Sequence, residues 1–367
     1  MTFGELLEIK KKPNDEIVIQ LLQDSELPVV IYGVSPDVAD RIVKKLRCNH
    51  IKVSFAAYDD DCPMMTDATV FLKDTEKIHT KDMDIKLSAY HVILGFVKGY
   101  SNLNALASKF KGAESIAYLS EIFDMEIMTP SFIEENGIFL DDFYNNLNDS
   151  HSKDSFVAYL SSKIWQDMKY LPPFFEKVQY FPKGIFELTG HESYFDCGAF
   201  TGDTVADFLR ATRGSYRHIW AAEPDKLNYI QLQHYIQKEE LANIDIVNKG
   251  IYSYTGKLPF RETGSMLSMI TEESDNYIEV DTIDRIAAGN PVTYIKMDVE
   301  GAELEALKGA EQTISTYKPV LGISIYHKPQ DLVDIPLYIK EIVPEYTFCF
   351  RVHKKLAIDT VLYAVVK

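Results

Sequence analysis

The stretch Tyr194-Phe195-Asp196-Cys197-Gly198-Ala199-Phe200-Thr201-Gly202-Asp203-Thr204 constrains the fold of this chain more than any other. It reads as a buried strand, a tight turn holding two glycines, and the start of a helix. Glycine lets a turn take positive φ and approach another group closely. A helix start presents unpaired N–H groups. Strand, glycine turn and helix in that order are how a mostly parallel α/β sheet builds a cofactor crevice at its carboxyl edge. The next acid after a strand is Glu223, in His218-Ile219-Trp220-Ala221-Ala222-Glu223-Pro224. A carboxylate there can hold the two hydroxyls of a ribose.

The residues that follow keep an alternating rhythm. Strands are expected at Tyr194–Cys197, Ile219–Ala222, Ile244–Val247, Thr293–Met297 and Val320–Ile325. Helical spacing fills Asp203–Ala211, Leu227–Lys238, Glu303–Thr313 and Leu332–Ile342. An irregular piece with a polar loop interrupts the rhythm after Gly250. A short strand, Tyr277–Val280, and a capped short helix, Asp281–Ala288, lead back to it. Tyr346–Arg351 and Thr360–Val366 read as a closing pair of strands, the last too apolar for a frayed tail.

The first third of the chain echoes the pattern. Pro28-Val29-Val30-Ile31-Tyr32-Gly33 reads as a buried parallel strand ending in a turn. Val38–Leu46 has helical spacing, Ile51–Tyr58 is a second strand, and Asp59-Asp60-Asp61 follows it. Only Gly33 stands where a dinucleotide fingerprint needs several glycines. A scaffold or docking domain is therefore expected, with the acidic run a solvated loop. His91–Phe96 and Ser115–Leu119 are further strands and Asn102–Phe110 a helix. Residues 131–189 change character: helical periodicity over Phe156–Met168 stops at Pro172-Pro173. The expected organisation is a Rossmann-like α/β domain over 1–130, a helical connector over 131–189, and a second Rossmann-like domain over 190–367.

Composition narrows the function classes. The chain has 367 residues and a formal charge of −17, which argues against nucleic acid or an anionic membrane as the main partner. Four scattered cysteines show no metal or disulfide spacing, and no apolar run is long enough to span a bilayer. A reducing, cytoplasmic setting is expected.

Taken together, four ordered motifs resemble the FkbM family of S-adenosylmethionine-dependent methyltransferases, over roughly residues 190–366. They are the turn Phe195–Thr204, Ala222-Glu223-Pro224, Val280-Asp281-Thr282-Ile283-Asp284, and Ile295-Lys296-Met297-Asp298-Val299-Glu300-Gly301-Ala302-Glu303. The segment Tyr326-His327-Lys328-Pro329-Gln330-Asp331-Leu332 also resembles members that carry an extra N-terminal α/β domain. The resemblance implies a class I methyltransferase domain and O-methylation of a sugar or another small hydroxylated acceptor. The first domain would hold part of a nucleotide-linked substrate or mediate dimerisation.

It also implies roles. Gly198 and Gly202 would pass close to S-adenosylmethionine, with Asp196 orienting its ammonium directly or through water. Glu223 would take the ribose and Asn248 the adenine. Asp298 lies at a strand end beside the expected methyl position, with Glu300 and His327 from adjacent ends. These three are the expected catalytic residues, His327 as a base because imidazole titrates near neutrality. The same three leave room for one divalent ion, although their spacing does not call for a metal. Lys296 is expected to pair with an acid or to snorkel, and the loop Glu262–Glu273, with Ser265, Met266, Ser268 and Met269, to form a lid or acceptor wall. The rival readings are an oxidoreductase using NAD or a nucleotide sugar, which lacks its compact glycine fingerprint here, and a non-catalytic binding protein that keeps the cofactor fold.

Overall fold

In the computed structural model, residues 12–33, 36–60, 72, 73, 75–95, 106, 108–123, 128–167, 170–262, 264, 268–271, 274–353 and 359–366 are described. Ser265 and Met266 of the polar loop, Asp61 of the acidic run and most of the helix expected at Asn102–Phe110 lie outside them. The chain divides into two compact units. One holds Gly4–Pro130 and Leu160–Tyr170, the other Ser131–Tyr159 and Leu171–Lys367. Residues 131–189 are thus shared between the units.

The first unit is a parallel sheet of β1 (Val29–Tyr32), β2 (Val53–Tyr58), β3 (Glu76–His79), β4 (Tyr90–Leu94) and β5 (Ala113–Ala117). Its order is β3-β2-β1-β4-β5. β1 and β4 are buried throughout, which is why they read as unbroken apolar runs. The acidic run corrects an expectation. Asp59 is buried, accepts a hydrogen bond from the Tyr32 hydroxyl at 3.0 Å, and pairs with Lys109 at 2.6 Å. Asp60 is exposed and faces Lys81 at 3.7 Å.

In sequence between the sheets run the helices Pro130–Asn146 and Ser150–Trp165. The periodicity over 156–168 anticipates only the second. The first lies outside that periodicity and buries Ile133, Leu140 and Phe143.

The second unit is built on seven strands: β6 (Ser193–Cys197), β7 (His218–Ala222), β8 (Ile244–Val247), β13 (Tyr294–Met297), β14 (Val320–Ser324), β15 (Thr347–Val352) and β16 (Thr360–Val365). Their order is β15-β16-β14-β13-β6-β7-β8. β16 runs antiparallel to β14 and β15, and the other pairings are parallel. From β6 the chain steps outward through β7 and β8, then returns on β6's other side as β13. That reversal is a topological switch point, where an open α/β sheet leaves a crevice at the strands' carboxyl ends. The interrupting piece is a second sheet of β9 (Gly250–Ile251), β10 (Gly256–Arg261), β11 (Met269–Ile270) and β12 (Tyr277–Asp281), ordered β11-β10-β12-β9. β10 escaped the sequence reading because Gly256 and Pro259 lie within it.

An aromatic core fixes the sheet. Tyr194 stacks on Phe208 with centroids 4.4 Å apart, and Phe181 packs edge-on against Tyr194. The helix expected over Glu303–Thr313 breaks into Glu303–Lys308 and Glu311–Tyr317. The break falls at Gly309, whose carbonyl accepts from the Asp284 N–H, and a Cβ there would lie 2.0 Å from the Tyr252 carbonyl oxygen.

Candidate active site

β6 and β13 are parallel neighbours in a register that sets Lys296 beside Asp196. Their side chains leave the same face of the sheet, and Asp298, two residues on, shares that face. The Lys296 ammonium lies 3.1 Å from Asp196 Oδ1, and Thr204 Oγ1 donates to Asp196 Oδ2 at 2.5 Å. Lys296 also donates to the Gly198 carbonyl at 2.6 Å and stands 5.3 Å from the Tyr180 ring centroid. Burial disfavours its charge, but Asp196 and Asp298 beside it outweigh burial and raise its pKa. Asp196 is fully buried, with one oxygen in the ion pair and the other accepting from Thr204.

The turn after β6 is pinned to the strands on either side. The Gly198 and Ala199 N–H groups both donate to the Ala222 carbonyl at 3.0 Å. Gly198 has φ +77, and a Cβ on it would lie 2.0 Å from the Asp298 carbonyl oxygen. Gly202 has φ +95, and a Cβ there would meet Tyr235 at 2.6 Å. Both glycines are therefore required by packing within the protein.

Glu223 leaves the end of β7 beneath this turn. Its Oε2 accepts from the Phe200 N–H and its Oε1 from the Asp225 N–H, each at 2.9 Å. Burial pushes its pKa up to about 7 against those two backbone donors. Asn248 donates through Nδ2 to the carbonyls of Glu223 and Pro224 at 2.9 and 3.0 Å, which ties it to the same turn. Asp225 caps the next helix by accepting from Leu227 and Asn228. It also accepts from Gly264 N–H and Ser268 Oγ, so the described part of the polar loop is held against this edge.

The carboxyl end of β13 carries the second half of the site. The Tyr180 hydroxyl donates to Asp298 Oδ2 at 2.9 Å, and that of Tyr326 to Oδ1 at 3.2 Å. Burial alone would raise the Asp298 pKa; Lys296, His327 and the Tyr180 and Ser324 hydroxyls together bring it below the usual carboxylate range. His327, just past β14, faces three carboxylates. Its Nε2 lies 3.3 Å from Glu300 Oε2 and 3.7 Å from Asp298 Oδ1, and its Nδ1 lies 3.0 Å from Glu303 Oε1. Burial would lower its pKa, but Glu303, Glu300 and Asp298 raise it well above the ordinary histidine value. The three carboxylates thus favour the charged form of the ring over the free base. Glu300 takes φ +54, a strained setting for a side-chain-bearing residue.

The structure thus brings Asp298, Glu300 and His327 together at one strand end, and Glu223, Asn248 and the glycine turn at its neighbour. Three partners carry no site signal in the sequence. Tyr180 lies in a stretch without periodicity, Tyr326 only adjoins His327, and Glu303 has the pattern of a helix start.

Residues 196–348 match the model of the methyltransferase FkbM domain. No curated protein matches the chain. Among solved structures, the chain is similar to the methyltransferase FkbM of Methylobacillus flagellatus, at 22% identity and a TM-score of 0.75, covering 99% of this chain and 98% of that one. That likeness shows a shared fold along the whole length. Two others align over about half the chain. A rRNA methylase of Streptococcus thermophilus aligns at 11% identity and a TM-score of 0.33, covering 49% of this chain and 90% of that one. Fibrillarin of Aeropyrum pernix, solved with bound S-adenosyl-L-methionine, aligns at 12% identity and a TM-score of 0.32, covering 50% and 71%. The family match lies on the sheet whose switch point carries the site just described, and residues 196–348 are accordingly a methyltransferase domain of the FkbM family, S-adenosylmethionine-dependent in type.

Proposed function

We propose that this chain transfers a methyl group from S-adenosylmethionine to a hydroxyl of a small acceptor, with a sugar or glycan intermediate as the favoured class. The observation that carries the reading is the abutment of Gly198 on Asp298. It sets the cofactor turn against the strand end whose side chains are carboxylates and phenols rather than apolar groups.

The donor set suits S-adenosylmethionine. Each Glu223 oxygen holds one backbone donor and keeps acceptor capacity for a ribose hydroxyl. Asn248 flanks it on the adenine side. Gly198 and Gly202 shape the turn, and Asp196 holds Lys296, which fixes the Gly198 carbonyl. Asp196 is a positioning residue. When bound, S-adenosylmethionine would supply its sulfonium methyl, with the neutral thioether S-adenosylhomocysteine as the leaving group.

A neutral hydroxyl is a weak nucleophile, and most of the catalysis is positioning. Asp298 is ionised and held by two tyrosines, so it accepts the acceptor's hydrogen bond and then the proton shed as the O–CH3 bond forms. Glu300 and His327 border the same spot and orient further hydroxyls. No helix among the described residues is long and apolar enough to cross a membrane. We place the enzyme in the cytoplasm, and its first domain as the holder of an acceptor handle or a dimer contact.

The test is transfer of labelled methyl from S-adenosylmethionine to a panel of sugars and nucleotide sugars, with amines and thiols alongside. Label in the hydroxylated acceptors, lost in Asp298→Asn, supports the reading. Label only in amines or thiols sinks the acceptor class. Failure to bind S-adenosylhomocysteine, with NAD bound instead, would favour the oxidoreductase.

A further inference from the structure

We propose that Asp298, Glu300 and His327 form a binding site for one divalent cation of the magnesium or manganese class. The proposal deepens the acceptor assignment above and rests on it for its role in the reaction.

The argument starts from geometry. One ligand atom from each residue lies within 4.8 Å of the others. An ion bound at about 2.1 Å spaces neighbouring ligands by about 3 Å, so the 3.3 Å from His327 Nε2 to Glu300 must shorten by about 0.3 Å and the 3.7 Å to Asp298 by about 0.7 Å. The set is also graded in exposure: the side chains of His327, Asp298 and Glu300 are 11%, 22% and 34% exposed. An ion there would be held from below and open on one side.

Two further observations separate this from an ordinary acidic surface. Both ring nitrogens of His327 are buried, and neither meets a hydrogen-bond partner of good geometry. The nearby carboxylates stand at ion-pair distance. A ring whose Nε2 is buried between two carboxylates can bind an ion there by releasing that nitrogen's proton to solvent. Behind it the surrounding groups are assembled. Glu303, fully buried and fixed by the Val299 N–H at 2.9 Å, faces Nδ1. Tyr180 and Tyr326 hold the Asp298 carboxylate. Metal-bound histidines have a carboxylate at the other nitrogen, and metal-bound carboxylates are themselves hydrogen-bonded.

Two carboxylates and one imidazole suit a hard or borderline cation. An octahedral ion with three protein ligands keeps three positions for water or for adjacent acceptor hydroxyls. Polarising one of those hydroxyls would ease loss of its proton to a carboxylate or water during methyl transfer. Neighbouring hydroxyls of a sugar would bind two positions at once, which selects a vicinal diol over a lone alcohol.

The experiment is calorimetric titration of the full-length protein with MnCl2, with and without S-adenosylhomocysteine, beside Asp298→Asn, Glu300→Gln and, as a surface control, Glu345→Gln. Saturable binding near one ion per chain is expected. It should weaken at least 10-fold in Glu300→Gln and Asp298→Asn and stay unchanged in Glu345→Gln. Glu300 is the most exposed of the three, so Glu300→Gln keeps the test available if Asp298→Asn does not fold. Absence of saturable binding, or binding unmoved by Glu300→Gln, overturns the site. The S-adenosylhomocysteine arm separates the two readings. If that nucleoside binds and manganese does not, the metal site fails while the methyltransferase stands. If manganese binds and the nucleoside does not, the methyltransferase reading fails.

Discussion

Lys296 and Asp196 form an ion pair 3.1 Å long between adjacent parallel strands, with both side chains sealed from solvent. A buried pair of this kind contributes little net stability, but breaking it leaves an uncompensated charge in the core. It ties the strand that ends in the cofactor turn to the strand that ends in Asp298. Lys296→Met should cost about 3–5 kcal/mol in denaturant unfolding. Adding Asp196→Asn to it should recover much of that loss. If the two changes simply add, the coupling between these residues is absent.

Glu223 makes a prediction about pH. Burial holds its folded pKa at about 7, above the ordinary glutamate value of 4.5, so the protonated form favours the folded state. The stabilisation is fully present below pH 4.5 and is lost as pH rises through 7, up to about 3 kcal/mol in the ligand-free protein. Glu223→Gln mimics the neutral carboxyl. The melting temperature of the variant relative to wild type should therefore climb from pH 5 to pH 8, while its affinity for S-adenosylhomocysteine falls about 10- to 100-fold through loss of charged hydrogen bonds to the ribose. A flat difference in melting temperature would mean that Glu223 stays ionised throughout.

Much of this was legible in the sequence because it rests on short-range pattern. β8 falls where Ile244–Val247 was read, and the strands carrying Asp196, Glu223 and Asp298 shift by no more than a residue at either end. What escaped is pairing at a distance. Nothing local marks Tyr180, because its role arises when a connector 118 residues away in sequence folds over Asp298. The Asp196 carboxylate looked available until register placed Lys296 beside it. His327 keeps its expected neighbourhood, but its pKa is pushed upward, since three carboxylates from one loop and helix converge on it only in the folded chain.

Tyr180 offers a test of that long-range link. Its hydroxyl sits between Asp298 Oδ2 at 2.9 Å and Ser324 Oγ at 3.0 Å. Its backbone, at φ +62, is pinned by the hydroxyls of Tyr363 and Tyr294. Tyr180→Phe removes only the side-chain bonds, at about 1–3 kcal/mol. Turnover should fall about 10-fold as Asp298 loses its orientation, with S-adenosylhomocysteine affinity within about 2-fold of wild type. Equal losses in both would make Tyr180 a cofactor residue instead.

Gly198 and Gly214 allow backbone strain to be separated from close packing. Both hold positive φ, +77 and +75. A Cβ on Gly214 would meet nothing within 4 Å, whereas one on Gly198 would lie 2.0 Å from the Asp298 carbonyl oxygen. Gly214→Ala should therefore cost about 1 kcal/mol, the conformational penalty alone. Gly198→Ala carries that penalty and must also push the turn off β13. Its cost should exceed about 3 kcal/mol, with loss of S-adenosylhomocysteine binding in whatever fraction folds. Thermal unfolding of the two variants side by side decides the matter. Similar melting temperatures would mean that the turn can move away from Asp298 freely, and that the contact between the cofactor edge and the acceptor edge is looser than the two glycine environments imply.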